Sequence, residues 1–240
     1  RAQADGYTLL ITNSSFTIFL ALYRNLPFDT LRDFAPVSLV SETYMILITP
    51  PAFPAQGFAQ YLAHARANPG KVNVGATGQA GVNHLMNVWL HSLAGVQVTH
   101  VPYKGAALLF PDLLAGRIDA ATIVVGAASR MAREGKVRAL GSTGTTRSKL
   151  MPELPTLAEQ GLSQFRHTSW VGFGAPAATP AAIVNRLSEQ FAATARAPEV
   201  RGPLEPEGYV LVGSTPAQFR QLLAGETERW KRVEIGRAHV

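Results

Sequence analysis

The sequence predicts an α/β protein with mostly parallel sheet, and two observations carry that expectation. Short apolar runs of β character alternate along the chain with segments of helical periodicity. The connections between them are Gly, Pro, Asn and small polar residues, placed as punctuation rather than massed in one tract. Sheets of this kind bind ligands beyond the carboxyl ends of their strands, where loops open into helix N-termini.

The elements follow in order. Residues 7–12 (YTLLIT) form a strand after an Asp-Gly turn and run into Asn13, Ser14 and Ser15, small polar residues suited to a loop. Residues 34–40 and 44–49 are two further strands, the second ended by Pro50, Pro51 and Pro54. Residues 57–67 form a helix with Phe58, Tyr61, Leu62 and Ala65 on its apolar face, stopped by Asn68-Pro69-Gly70. A brief strand at 71–75 leads into a loop of small residues, 76–81. The helix after it is the clearest in the chain, with Val82, Leu85, Met86, Trp89, Leu90 and Leu93 on one face. Strands at 96–101, 118–125 and 137–142 alternate with helices at 112–115 and 129–134. Three later helices carry start signals: the capping box at 156–159, Thr179-Pro180, and Thr215-Pro216 with Gln218. The helix after Pro180 is expected to bury Ile183, Val184, Leu187 and Phe191; the last, Phe219, Leu222, Leu223 and Trp230.

Composition narrows the function. Hydrophobic residues make up 47% of the 240 and charged residues 16%, enough apolar material for a packed core. The net charge of +6 is spread singly, with no basic stripe interleaved with aromatics, so a nucleic-acid partner is not expected. The absence of cysteine removes thiol catalysis, disulfides and thiolate metal sites. No apolar run reaches the roughly 18 residues of a membrane span.

The strongest chemical signal is the segment 72–81, VNVGATGQAG, ahead of the clear helix. A strand, a loop of small residues and a helix start form an anion site, because the first helical turn has free N–H groups and a partial positive charge. A plain strand-to-helix connector has the same composition. The loop is not a P-loop, since no Lys follows the glycines, nor a dinucleotide fingerprint, since Gly75, Gly78 and Gly81 have the wrong spacing. The segment 100–105, HVPYKG, sits at a strand end, with Pro102 and Gly105 read as structural and the role of Tyr103 left open. His84, His91 and His100 lack zinc spacing and are expected to be surface or hydrogen-bonded histidines. No Gly-x-Ser-x-Gly elbow occurs, and no catalytic set is evident.

Taken together, 5–10 (DGYTLL), 33–40 (DFAPVSLV), 73–85, 100–105, 112–119 (DLLAGRID), 135–140 (GKVRAL), 155–159 (PTLAE) and 215–219 (TPAQF) resemble, in this order, the Bug-type receptors of tripartite tricarboxylate transporters, TctC-like periplasmic binding proteins. The resemblance runs from about residue 4 to residue 233. It implies a two-lobed type II periplasmic-binding-protein (Venus flytrap) fold. The chain would cross between lobes near Thr43 and near Trp170-Val171-Gly172. One lobe would take residues 1–43 plus 172–234 and the other residues 44–171. The resemblance further implies a periplasmic, monomeric receptor with no cofactor and no metal. It would bind a small carboxylate through backbone amides, small hydroxyls and waters, and hand it to membrane transporter subunits. The expected ligand-binding residues are Asn13, Ser14, Ser15, Gly75, Ala76, Thr77, Gly78, Gln79, Ala80 and Asn83. A ligand-sensing effector domain of a transcription regulator and an α/β enzyme are the competing readings.

The sequence departs from the family pattern in four places. Where the family has an Asp after the strand following Gly-x-Val-Asp, this chain has Ile123, which argues against an amino-acid ligand. Pro111 falls inside a helix and is expected to kink or delay it. The family's first βαβ unit, with its Pro-Gly-Gly loop, is expected to be missing. That would leave the strand at 7–12 on an exposed edge, and the chain poorly stable and a weak binder. Residues 234–240 read as a translated sequencing adapter, and 235–240 are expected to lie outside the fold.

Overall fold

The computed structural model describes residues 2–22, 26–78 and 81–232. The chain divides into two compact units. Unit 1 takes residues 1–42, 169–205 and 209–240; unit 2 takes residues 43–168 and 206–208. The expected tail at 235–240 lies outside the described residues.

The order is β1 (Leu10–Asn13), α1 (Ser15–Leu22), β2 (Phe34–Thr43), β3 (Met45–Thr49), α2 (Phe58–Ala67), β4 (Asn73–Thr77), α3 (Val82–Leu93), β5 (Thr99–Tyr103), α4 (Ala106–Leu114), β6 (Ala120–Val124), α5 (Val125–Arg133), β7 (Arg138–Ser142), β8 (Ser169–Pro176), α6 (Ala181–Thr194), α7 (Pro198–Leu204), a 3-10 turn (Glu205–Glu207), β9 (Tyr209–Leu211) and α8 (Pro216–Arg232).

Unit 2 is built on a five-stranded sheet in the order β5-β4-β6-β3-β7. Strand β4 runs parallel to β5 and β6, but β3 is antiparallel to both β6 and β7. The sheet is therefore mixed, not mostly parallel. The reason lies in the connections. A parallel neighbour requires a crossover within the sheet, usually a helix, whereas β3 enters directly from β2, a strand of the other sheet, with only Tyr44 between them. Unit 1 repeats the logic. Its sheet has the order β1-β8-β2-β9, and β8 follows a helix-free stretch and lies antiparallel to β1.

The core of unit 2 packs Ile46, Ile48, Leu109, Leu113, Ile118 and Ile123. Ile123, where the family pattern has Asp, is 5% exposed and belongs to this core. The core of unit 1 gathers Phe16, Leu39, Trp170, Phe219 and Leu223, with Val37, Ala175 and Val184 in a second cluster. Short glycines let the strap 206–208 seat in unit 2. A Cβ on Gly126 would lie 2.4 Å from the Glu207 carbonyl oxygen. Thr43 Oγ1 donates to the Gly208 carbonyl at 2.9 Å, and Arg130 pairs with Glu207. The expected boundaries had left these three residues with the other lobe.

Several elements differ from expectation for local reasons. The first strand begins at Leu10, not residue 7, because the Tyr7 N–H is taken by Asp5 Oδ1 (3.0 Å) in a turn that leaves Tyr7 93% exposed. It lies at the sheet's edge with Ile11 63% exposed. Helix α4 starts at Ala106, so Pro111 does not delay it; the proline sits inside the helix. The capping box at 156–159 closes, with the Thr156 N–H donating to Glu159 Oε2 (2.7 Å) and the Glu159 N–H to Thr156 Oγ1 (3.1 Å). Only a turn follows, because the left-handed Gly161 ends it. The equivalent box at Thr215 and Gln218 does open a helix, α8. On α3, Leu93 is 36% exposed, and Asn87 and His91 take interior positions instead. On α6, Val184 is buried, while Ile183, Leu187 and Phe191 are half-buried.

Candidate functional site

Strand β4 delivers the chain to the N-terminus of α3 through residues 78–81. Gln79 and Ala80, two of the expected ligand-binding residues, lie outside the described residues. Gly78 adopts φ +80°, in the left-handed region where a side chain costs energy. Its N–H donates to the Tyr103 carbonyl at 2.8 Å, which stitches the loop to the carboxyl end of the parallel neighbour β5. Gly81 is glycine for a different reason: a Cβ there would lie 3.0 Å from the Thr77 carbonyl oxygen. Gly81 caps α3 in extended conformation, and no side chain caps the helix. The first-turn N–H groups of α3 thus have no capping side chain to satisfy them.

Asn83, in that first turn, donates from Nδ2 to Thr77 Oγ1 at 2.8 Å. The threonine oxygen is used as an acceptor, so its own proton remains to be donated. Asn83 retains its Oδ1 as an acceptor. Thr77, Gly78 and Asn83 are therefore brought together at the mouth of β4 and α3.

Gly75 and Ala76 are interior residues. A Cβ on Gly75 would meet Ile118 Cδ1 at 2.5 Å and Leu109 Cδ1 at 3.1 Å, so this glycine serves core packing. Its carbonyl accepts from Asn87 Nδ2 (3.5 Å), and Asn87 Oδ1 accepts from Thr122 Oγ1 (3.1 Å). The fully buried Asn87 thus ties α3 to β4 and β6 beneath the loop. Sequence reasoning passed over it. The available signal was an Asn four residues after Asn83, within an otherwise apolar stretch of helix.

Asn13, Ser14 and Ser15 lie in unit 1, at the end of β1 and the start of α1. Asn13 Oδ1 accepts the Ser15 N–H at 3.0 Å. Ser14 is fully buried; its hydroxyl oxygen accepts the Trp170 N–H at 3.0 Å, and its carbonyl accepts Thr17 Oγ1 at 3.0 Å. Within unit 1 this hydroxyl joins the start of α1 to β8.

Tyr103, whose role the sequence left open, turns its side chain to a separate network. Its hydroxyl donates to Asp112 Oδ2 at 2.8 Å, and Asp112 also pairs with Arg117. Those two partners hold the Asp112 carboxyl below its ordinary range, the Tyr103 hydrogen bond more than the guanidinium. His91 is buried and hydrogen-bonded to Tyr61 and to the Asn87 carbonyl. Among the described residues, no group of three His, Cys, Asp or Glu side chains is arranged to hold a metal ion. No described helix is long and apolar enough to cross a membrane.

Comparisons with known proteins place this architecture. Residues 1–237 match the model of the tripartite tricarboxylate transporter family receptor. A protein from the tcbD-tcbE intergenic region of Pseudomonas sp. is 34% identical over 236 residues, spanning 98% of this chain and 70% of its own. BugT of Bordetella pertussis is 30% identical over 235 residues, spanning 97% of this chain and 72% of its own. Among solved structures, a periplasmic transporter superposes with a TM-score of 0.88 at 30% identity, covering all of this chain and 80% of its own. MatC from Rhodopseudomonas palustris, with bound malate, gives 0.87 at 28% identity over 97% of this chain and 80% of its own. A second R. palustris protein, with adipate, gives 0.86 at 28% identity over 98% and 79%. The fold is thus the two-domain α/β fold of periplasmic binding proteins, with mixed sheets. The chain belongs to the tripartite tricarboxylate transporter receptor family, whose members act as transport receptors and not as enzymes.

Proposed function

We propose that this chain is a periplasmic, monomeric solute receptor that binds a small mono- or dicarboxylate and passes it, chemically unchanged, to the membrane components of a tripartite transporter. The observation that carries this reading is the pair of relatives at 28% identity that hold malate and adipate. The loop geometry supports it. A carboxylate at the start of α3 would meet the first-turn N–H groups, which no N-cap side chain bonds, and the positive end of the helix dipole. Thr77 adds a hydroxyl donor oriented by Asn83. The same reading takes Asn13, Ser14, Ser15, Gln79 and Ala80 as further ligand-binding residues. Gly75 and Ala76 act from below, by letting β4 pack closely. The apolar, buried Ile123 supplies no partner for a ligand ammonium group, which favours plain or hydroxylated acids over amino acids.

The test is thermal unfolding against a panel of organic acids. A ligand at 100 times its Kd stabilises the folded state by about 2.7 kcal/mol, so one or more carboxylates should raise the melting temperature. Thr77→Val should keep the fold and weaken binding by about tenfold or more, since a hydrogen bond to a charged group contributes about 1.5–3 kcal/mol. A panel with no shift for any carboxylate contradicts the reading; a Thr77→Val protein of unchanged affinity removes that hydroxyl from the site.

A further inference from the structure

Helix α3 buries a column of polar rings that the ligand site does not use. His91 is 2% exposed. Its Nδ1 lies 2.6 Å from the Asn87 carbonyl oxygen, which can only accept, so Nδ1 carries the proton. Its Nε2 lies 2.7 Å from the hydroxyl of the fully buried Tyr61 on α2 and accepts the hydrogen bond that this O–H donates. His100, on β5, stands edge-on to His91 with ring centroids 5.7 Å apart. It stands equally edge-on to His84, at 5.2 Å, on the same side of α3 as His91. Asp119, just before β6, bears electrostatically on Tyr61, and Arg66 of α2 reaches the Ala94 carbonyl at the end of α3. The column is thus Tyr61, His91, His100 and His84, spanning three elements of unit 2.

The neutral state satisfies both nitrogens of His91. A proton on Nε2 would reverse the bond to Tyr61, leave the buried phenol hydrogen without its acceptor, and set a buried cation against His100. We propose that this column is an acid-sensitive latch: it closes only with His91 neutral, so acid favours the state in which α3 has parted from α2 and β5 and His91 can take up a proton, and loosens the element on which the 77–83 loop is mounted. The inference rests on the packing of unit 2 and stands whether or not the ligand reading holds.

Burial holds His91 down to about 3, with the His100 charge adding to the effect and the Asn87 hydrogen bond opposing it. Burial lowers His84 as well. The sign follows. A histidine whose folded value lies below its unfolded value of about 6.5 contributes full stability above pH 6.5 and loses it as pH falls below that, because the unfolded chain then binds the proton more readily. For His91 alone, the folding equilibrium of unit 2 should drop about 30-fold between pH 8 and pH 5.

The experiment is amide hydrogen exchange on the whole chain at pH 8 and pH 5, corrected for intrinsic rates. Protection of α3 and β5 should fall by about 30-fold, while α6, in the other unit, serves as reference. The double variant Tyr61→Phe/His91→Phe replaces both polar partners by rings and should abolish the acid response. Histidine ring titration by NMR of the unaltered chain gives a second reading: His91 should stay neutral in the folded state throughout this range. Equal acid loss in α3 and α6, a full response in a folded double variant, or reversible protonation of folded His91 near pH 6.5 would each overturn the proposal.

Discussion

Gly78→Leu should abolish carboxylate binding while leaving a cooperative unfolding transition in place. Two effects act together. The residue sits at φ +80°, where an L side chain costs roughly 1–2 kcal/mol. In the proposed site the leucine side chain would also occupy the space in front of the α3 N-terminus. The nearest described atom to a Cβ at this position is the Gly81 Cα, at 3.8 Å, an ordinary van der Waals contact. Loss of affinity should therefore exceed loss of stability, with binding weakened about 100-fold or more if two charge-assisted hydrogen bonds go. Calorimetric titration beside a denaturant melt checks both. A Gly78→Leu protein that binds as tightly as its parent would reduce the loop to a connector.

Trp230→Ala should be the most damaging single truncation in unit 1. The indole is fully buried in α8, which packs along α1, and its Nε1 donates to Glu226 Oε2 at 3.2 Å. Burial already raises the Glu226 carboxyl, against the opposing pull of Arg229 and of this indole bond. Removing the ring leaves a cavity and deprives a buried acid of a donor. Truncations of this type cost about 3–5 kcal/mol, against a typical total of about 5–15 kcal/mol. The expected result is a markedly lowered unfolding midpoint for unit 1, followed by the remaining Trp170 in that unit. A loss under about 1 kcal/mol would show that the end of α8 contributes little to the fold.

Much of the fold was legible in the sequence because the informative elements are amphipathic over long spans. Helix α2 buries Phe58, Tyr61, Leu62 and Ala65, the residues its periodicity selects. The family resemblance rests on the ordered set of segments from 5–10 to 215–219, each weak by itself. The strand directions were not legible. Alternation of strands and helices implies parallel pairing only when each strand follows a crossover, and β3 and β8 each arrive without a helix before them. The capping box at Thr156 and Glu159 shows the limit of a local signal: both hydrogen bonds form, yet Gly161 stops the helix after one turn.

The candidate site was legible as chemistry but not as geometry. Small residues before a strong helix fit an anion site and a plain connector alike, and composition does not say which face each residue takes. Gly75 and Gly78 look alike in sequence. One meets Ile118 and Leu109 in the core, and the other turns the loop at positive φ. Ser14, an expected ligand hydroxyl, accepts the Trp170 N–H, a partner 156 residues away that no local signal announces. Asn87 escaped notice, and for His84, His91 and His100 the sequence offers only surface or hydrogen-bonded roles, because polar residues on an interior helix face have meaning only once their partners on β4, β6, α2 and β5 are known.

The central claim is that this chain binds a small organic carboxylate and does not transform it. Isothermal titration of the chain with malate, adipate and a panel of related mono- and dicarboxylates, followed by recovery of the ligand, tests it most directly. Saturable heat is expected with at least one of these acids, at about one site per chain, with the ligand recovered unchanged. Absence of heat with every carboxylate, or steady conversion of the acid to a product, would contradict it.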